Sequence, residues 1–281
     1  MAMAMERHTK TAPEVSARAD DCFVSTLDVC EVQDRDFTSH LSADERAKYA
    51  SLPGERRKSE WLAGRLAAKH LFLNRLEVSG ETRSQTWRPA LSKLSAESLG
   101  VYSTWMYRKI EVLAFDGKPG LVWCGKDRPE RISLSHTGGL SCACIASGTP
   151  TAIDVETSMR RHEAFYRSTF SEVERYWATR GAEGELSGAN WYFTLLWTLK
   201  ESALKLGWTA SLWNLPGIEF DGLPGLNHLE PLRRSRHMGD AFVVFTASVK
   251  KDGREMQVQA AVAGTRNYVL TVMNPLIGAV N

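Results

Sequence analysis

The chain has 281 residues, of which 43% are hydrophobic and 24% charged, enough apolar material for one large core or two modest ones. Its 35 basic and 33 acidic residues leave a net charge of +2, so bulk electrostatics call for neither nucleic acid nor a membrane surface as partner. No run of about 18 apolar residues is available to span a bilayer, and the stretch from Met1 to Arg7 is too short in apolar residues for a signal peptide.

Residues 1–20 read as a flexible tail. Strand character follows at 22–32. Ser42 and Glu45 form a capping-box pattern that opens a short helix through Tyr49. After Pro53-Gly54, a longer helix is expected from about Arg56 to Leu76, with Leu62, Leu66, Leu73 and Leu76 on its core face. Residues 79–105 are rich in Ser and Thr without a clear period and read as an insertion or long loop. Strands are expected at 109–115, 131–135, 140–147 and 150–156. Cys142 and Cys144 fall within one of them, one residue apart, which is tighter than zinc-knuckle spacing. They read as small buried residues, and the cysteine usage as that of a reducing cytoplasm. Ser171 and Glu174 repeat the capping-box pattern, and Gly181 closes that helix. A second long helix spans about Ala189 to Leu206, and strands follow at 241–249, 256–263 and 267–273. No repeat is visible in the letters. The fold class is α+β, a helix-plus-strands unit used twice, with halves at 21–148 and 149–281.

Ala152-Ile153-Asp154-Val155-Glu156, as a strand, puts Asp154 and Glu156 on one face. Two carboxylates about 7 Å apart repel by roughly 2 kcal/mol at an effective dielectric near 20. A cation would remove that cost, and oxygen ligands of this kind suit Mg²⁺. The plain alternative is a strand edge with two solvated acids. In Trp197-Thr198-Leu199-Lys200-Glu201-Ser202-Ala203-Leu204-Lys205, the residues Leu199 and Ala203 mark the core face. Glu201 and Lys205 are then a surface pair one turn apart, unless the helix packs beside Asp154, where Glu201 would become a third carboxylate. Ser135-His136-Thr137-Gly138-Gly139 offers hydroxyls, an imidazole and exposed backbone N–H groups that can bind a phosphate, or it is a structural turn. Asp116-Gly117-Lys118-Pro119 reads as a hairpin turn whose lysine could serve a phosphate as a point charge.

Together and in this order these segments resemble the Sfp-type 4'-phosphopantetheinyl transferases. In that family a Gly-Lys-Pro precedes Ser-His-(Ser/Thr)-Gly, then Gly-Ile-Asp-x-Glu, then Trp-x-x-Lys-Glu-(Ala/Ser)-x-x-Lys. Here they are Gly117-Lys118-Pro119, Ser135-His136-Thr137-Gly138, Ala152-Ile153-Asp154-Val155-Glu156 and Trp197 through Lys205, with Phe170-Ser171 and Glu174 matching a further family element. The resemblance spans residues 40–207 or so. Ala152 stands where the family usually has glycine, and the 79–105 segment makes the part before Gly117 longer than typical.

The resemblance implies two similar α/β halves related by a pseudo-twofold, with coenzyme A and Mg²⁺ in the cleft between them. It implies transfer of phosphopantetheine from coenzyme A to a serine of an apo acyl- or peptidyl-carrier protein, by a monomer in the cytoplasm. Lys118, Pro119, Ser135 and His136 would hold coenzyme A, chiefly its 3'-phosphate, with Lys48 as a further cation and Arg46 as its competitor. Asp154, Glu156 and Glu201 would surround Mg²⁺. Lys205 would sit by the pyrophosphate, and Lys200 is counted with the cofactor binders although no chemical step falls to it. Glu201 is the expected general base, with Lys205 and Asp154 completing the catalytic set. Trp208 and Trp213 are candidates for the carrier-docking rim or for core packing. Two rivals remain: a non-catalytic coenzyme A- or nucleotide-binding relative, and an acyltransferase using His136 as base without a metal.

Overall fold

The computed structural model describes residues 22–276 apart from 34, 79–88, 116–117, 148, 182–185, 209–211 and 239–241. The tail expected at 1–20 lies outside the described residues. In chain order the first part holds β1 (Cys22–Asp28), α1 (Cys30–Gln33), α2 (Ala43–Ser51), α3 (Glu55–Val78), β2 (Ala90–Leu94), α4 (Ala96–Leu99) and α5 (Thr104–Arg108). It continues with β3 (Ile110–Phe115), β4 (Lys118–Trp123), β5 (Lys126–Asp127), β6 (Arg131–Thr137) and β7 (Leu140–Ala146). The second part holds β8 (Ala152–Thr157), α6 (Glu163–Thr169), α7 (Glu172–Arg180), α8 (Leu186–Lys205), β9 (Glu219–Asp221) and α9 (Leu226–Arg234). It ends with β10 (Val243–Lys251), β11 (Arg254–Gly264) and β12 (Tyr268–Pro275). Among the described residues no helix is long and apolar enough to cross a membrane.

The mixed α+β character expected from the sequence is present. One sheet has the order β2-β1-β7-β6, a second β8-β12-β11-β10-β9, and a small third sheet β3-β4-β5. α3 packs on the first sheet through Leu62, Leu66 and Leu73, in a core with Leu27 and Ile145. Leu76, placed on that stripe by its spacing, is 39% exposed at the last turn. α8 packs on the second sheet through Leu195, Leu199 and Ala203, against Val258 and Met273. A third cluster, containing Val24, Cys142, Cys144, Ile153, Val155 and Leu270, joins the two sheets. Both cysteines are buried as small residues and unbridged.

Two readings need correction. The segment read as a loop over 79–105 contains β2, which runs parallel to β1 from Phe23↔Ala90 to Leu27↔Leu94, and the short helices α4 and α5 begin in it. Leu94, Leu99 and Tyr102 from it are buried in the first core. Elements of four or five residues are too short to show a period. The hairpin expected at 116–119 joins β3 to β4, but Lys118 and Pro119 belong to the strand and not to the turn: Phe115 pairs with Lys118 and Ala114 with Pro119. β5 pairs only with Val122 and Trp123, so Pro119 lies where β4 has a free edge and its missing N–H costs no ladder bond.

The structure also repeats a corner that the letters hide. Ser42 and Ser171 both complete capping boxes, with Glu45 and Glu174 respectively. One residue later, Arg46 donates to Leu41 O at 2.9 Å and Arg175 to Phe170 O at 2.6 Å. Each capping glutamate is buried and receives a fully buried lysine from the following long helix: Lys69 of α3 for Glu45, Lys200 of α8 for Glu174. Only serine, glutamate and arginine recur in these two stretches, too little for a repeat to stand out.

Candidate active site

The site forms where β6 and β8 meet. These strands belong to different sheets, and serine hydroxyls close the seam: Ser133 Oγ accepts from Ile153 N at 3.2 Å, and Ser135 Oγ from Val155 N at 3.3 Å. Ile153 and Val155 point into the joining core. Strand alternation therefore turns Asp154 and Glu156 to the other face, as their spacing predicts. α8 packs along β8 and β12, and Ser202 Oγ and Thr271 Oγ1 lie 3.0 Å apart across that contact.

Asp154 is 4% exposed. Its Oδ1 accepts from Ser135 Oγ at 2.7 Å and from Lys205 Nζ at 2.8 Å, while its Oδ2 is buried without a hydrogen-bond partner. Lys205 also donates to Ile153 O at 2.8 Å and Leu134 O at 3.3 Å, tying α8 to both strands of the seam. Burial pulls the lysine toward neutrality, but the Asp154 carboxylate outweighs it and holds the ammonium above the usual lysine range. Glu156 Oε2 accepts from Thr137 Oγ1 at 3.2 Å, with Arg161 at 3.7 Å. Burial and then Asp154 push Glu156 upward, against Thr137, Arg161 and the Trp197 indole. Glu201 is pushed up to about 7, first by burial and then by Asp154, with Lys205 opposing and Glu156 adding. The helix thus does pack beside Asp154, and the three carboxylates sense one another.

A group of cations adjoins them. His136 Nε2 lies 2.8 Å from Arg57 Nη1. A guanidinium only donates, so Nε2 is the acceptor and the imidazole is neutral at that atom. Burial lowers the proton affinity of His136; Glu60 at 3.7 Å opposes this, and Arg57, Lys205 and Arg65 reinforce it. Arg65 stacks on Trp61 at 4.0 Å and has a buried Nε without a partner. Burial pulls its guanidinium down to about 10. Lys118 reaches toward the end of α8: a Cβ at Gly207 would lie 3.5 Å from its Nζ. Arg57, Arg65 and Glu60 were not singled out from the sequence. All three lie on α3, Arg57 in its first turn and Glu60 and Arg65 further along, and only the fold brings them to His136.

Ser135, expected on coenzyme A, lies within the site, where its hydroxyl donates to Asp154 Oδ1. Other expected residues are placed elsewhere. Lys200, expected among the cofactor binders, is fully buried, with its amine on Glu174 Oε2 at 3.0 Å, on Leu215 O at 3.4 Å and on Ile218 O. A lysine next to Glu201 in sequence points about 100° away from it on a helix, which takes Lys200 to the core side. Arg46 is turned back to Leu41 O. Lys48 is exposed on α2, and among the described residues no hydrogen bond or ion pair connects its amine to His136 or to the carboxylates. Trp208 packs against the second core under Arg254, 5.4 Å from its ring, and the Trp213 side chain lies outside what is described.

Among the described residues no three His, Cys, Asp or Glu side chains stand ready as a metal centre. The chemistry of the donors still suits a cation: Asp154 Oδ2 is buried and unpartnered, and Glu201 is pushed up to about 7 by its burial and then by the Asp154 charge. An oxygen-seeking divalent ion completed by substrate phosphates needs only part of its shell from protein.

Residues 150–272 match the family model of the 4'-phosphopantetheinyl transferase superfamily. The match runs from just before β8 into β12, under half of the chain, and includes Asp154, Glu156, Glu201 and Lys205. It supports phosphopantetheine transfer as the general chemistry of this region. No curated protein matches the chain.

Proposed function

We propose that this chain transfers the 4'-phosphopantetheine moiety of coenzyme A to a serine of an apo acyl- or peptidyl-carrier protein, with Mg²⁺ as cofactor and 3',5'-ADP as the released product. The observation that carries the reading is the buried Asp154 with its unpartnered Oδ2, set beside Glu156, Glu201 and Lys205 within the matched region. The Sfp-type assignment rests on motifs outside that region, Gly117-Lys118-Pro119 and Ser135-His136-Thr137-Gly138. The repeated Glu–Lys corners favour two related halves, with the division at about residue 148.

Asp154, Glu156 and Glu201 would hold Mg²⁺. When bound, the ion would supply charge neutralisation and polarisation of the pyrophosphate oxygens. Arg57, Arg65, His136 and Lys118 would bind the phosphates of coenzyme A. The neutral His136 donates through Nδ1, and the partly desolvated Arg65 gains a counter-ion. Pro119 follows Lys118 at the start of β4. In this reading Glu201 takes the proton of the carrier serine. The serine oxygen forms a bond to the β-phosphorus, and the bond from that phosphorus to the bridging oxygen of the ADP portion breaks. Negative charge gathering on the leaving group is met by Lys205, whose amine two backbone carbonyls hold in place.

Intact-mass measurement of an apo carrier protein incubated with the enzyme and coenzyme A tests this. A gain of one phosphopantetheine with Mg²⁺, abolished by chelator, is the expected result. Absence of any gain across carriers of several classes, with coenzyme A still bound, would point to a binding protein instead. Transfer from acyl-coenzyme A of the acyl group alone, unaffected by chelator, would favour the His136 acyltransferase.

A further inference from the structure

The seam between β6 and β8 uses one arrangement twice. At Ser135, Oγ accepts from Val155 N at 3.3 Å and donates to Asp154 Oδ1 at 2.7 Å. Two residues on, Thr137 Oγ1 lies 3.2 Å from Glu156 Oε2. A carboxylate only accepts, so the Thr137 proton is committed to Glu156 and its oxygen is left to accept in turn. Among the described residues no backbone N–H donates to that oxygen. Thr157 Oγ1 meets it instead, at 3.3 Å, and with the Thr137 proton already placed it must be the donor. Strand alternation makes this possible. Thr157 takes the face of Ile153 and Val155, toward the first sheet, while Glu156 takes that of Asp154.

The turn that ends β6 rests on the same threonine. Gly138 has φ +46°, and a Cβ there would lie 2.5 Å from Thr157 Oγ1. Tyr268, which pairs with Thr157 in the β8–β12 ladder, donates its phenol to Gly138 O at 3.2 Å. From the other part of the chain, Val29 N donates to Gly139 O at 2.7 Å. Both carbonyls of the turn are thus tied down. Thr157 and Tyr268 are half-buried beside the carboxylate site, and neither falls in the segments that carry its motifs.

We infer that Thr157 and Tyr268 are positioning residues for the carboxylate site: Thr157 directs the Thr137 hydroxyl onto Glu156, and Tyr268 seats the turn that follows Thr137. The consequence rests on the reading that Asp154, Glu156 and Glu201 hold a divalent cation, because an ion is sensitive to the direction in which each carboxylate is aimed. Arg161 at 3.7 Å and the Trp197 indole still attract Glu156, so losing the relay re-aims the carboxylate rather than freeing it. Where Ser135 is served by a backbone N–H, Thr137 is served by a side chain. A single substitution therefore removes its donor and leaves the backbone of β8 intact.

The test is Mn²⁺ binding, followed by electron paramagnetic resonance with coenzyme A present, in Thr137→Val, Thr157→Val and their double variant. Thr137→Val should raise the Mn²⁺ dissociation constant about tenfold, the low end for loss of a partner to a metal ligand. Thr157→Val, one bond further out, should raise it about fivefold alone and add nothing in the Thr137→Val background. Thr157→Ser should restore the wild-type value, and Tyr268→Phe should weaken binding about twofold. In transfer assays the Mg²⁺ concentration for half-maximal rate should rise by the same factors, with kcat at saturating Mg²⁺ changing less. Thr157→Ala takes the place of the valine if that variant fails to fold. Unchanged Mn²⁺ affinity in a folded Thr157 variant would overturn the relay. So would a serine no better than valine, which would assign the effect to shape, or full additivity with Thr137→Val, which would place Thr157 on a separate route. No change in Tyr268→Phe would remove the part given to the phenol. Wild type that binds no Mn²⁺ would sink the cation reading and the relay with it, whereas binding abolished by Asp154→Asn and intact in Thr157→Val would sink the relay alone.

Discussion

The corner of α2 and α3 and the corner of α7 and α8 are built on one plan and put to different uses. Each has a capping box, an arginine turned back on the preceding carbonyl and a buried lysine from the long helix on the capping glutamate. They part at the next residue. After Lys69 comes His70, whose Nδ1 lies 2.8 Å from Tyr107 Oη inside the core. After Lys200 comes Glu201, facing Asp154 and Glu156. The buried pair fixes each helix, and the neighbouring position is then free to serve packing in one half and chemistry in the other.

The sharpest test exchanges chemistry for structure at that position. Glu201→Gln is expected to reduce kcat by about 10²–10⁴-fold if the carboxylate is the proton acceptor. Its melting temperature should hold or rise, because one of three crowded carboxylates has gone. His70→Gln should do the reverse, with activity largely kept and about 1–3 kcal/mol of stability lost as Tyr107 and its surroundings lose a buried bond. Near-normal turnover by Glu201→Gln, measured alongside thermal unfolding of both variants, would remove the functional half of the comparison.

The two lysines come next. Removing either leaves a buried glutamate unpaired, at about 3–5 kcal/mol. The corners nevertheless differ in how fully the acid is satisfied. Glu45 accepts from Ser42 N and Lys69 through Oε2 and from Val112 N at 3.0 Å through Oε1, whereas Glu174 Oε1 is buried without a partner. Burial already pushes Glu174 above the usual carboxylate range, with Lys200 pulling it back. In Lys200→Met that restraint is gone, so the folded protein takes up a proton there more readily than the unfolded chain. The cost of Lys200→Met should therefore shrink as pH falls from 7 toward 5. Denaturant unfolding of this variant and the wild type at both pH values measures it, and a cost independent of pH would show that Glu174 keeps its charge unaided.

What the sequence made legible follows the range of the interactions. Both capping boxes were readable because they are local, three residues apart, and alternation was enough to put Asp154 and Glu156 on one face. The expectation that Glu201 joins them depended on α8 packing beside β8, which the letters of the helix alone left open. Lys200 belongs to the Trp-x-x-Lys-Glu motif, but a helix sends neighbours to different faces, and its amine goes to Glu174 in the core. Ser135 reads from the letters as a hydroxyl able to bind a phosphate, and the structure adds a second partner for it. Its bond to Asp154 arises only because two sheets meet at an unladdered seam, and nothing within β6 announces that. Arg57 and Arg65 reach His136 across 79 and 71 positions and could be found only in three dimensions.

At the caps the comparison should come out even. Ser42→Ala and Ser171→Ala each remove an acceptor for an otherwise unpaired N–H at a helix start, worth about 1 kcal/mol. Unequal losses would mean that one corner leans on its cap more than the other.

The smallest effect concerns an attachment that the α7–α8 corner has gained. Tyr192 of α8 donates to Glu230 Oε2 at 3.1 Å, and Arg233 and Arg234 of α9 grip the same carboxylate. Arg233 leads in holding Glu230 down to about 2, against an ordinary value of 4.5. The folded state therefore binds that proton less readily than the unfolded one. The stabilisation is fully present above pH 4.5 and is lost as pH falls toward 2. Solvent around the arginines screens it, so a contribution of about 1 kcal/mol or less is expected. Glu230→Gln should lower the melting temperature slightly at pH 7 and by less than half as much at pH 3. An equal deficit at both would mean that the tie between α8 and α9 depends on the hydrogen bond from Tyr192, which the amide also disturbs, and not on the charge.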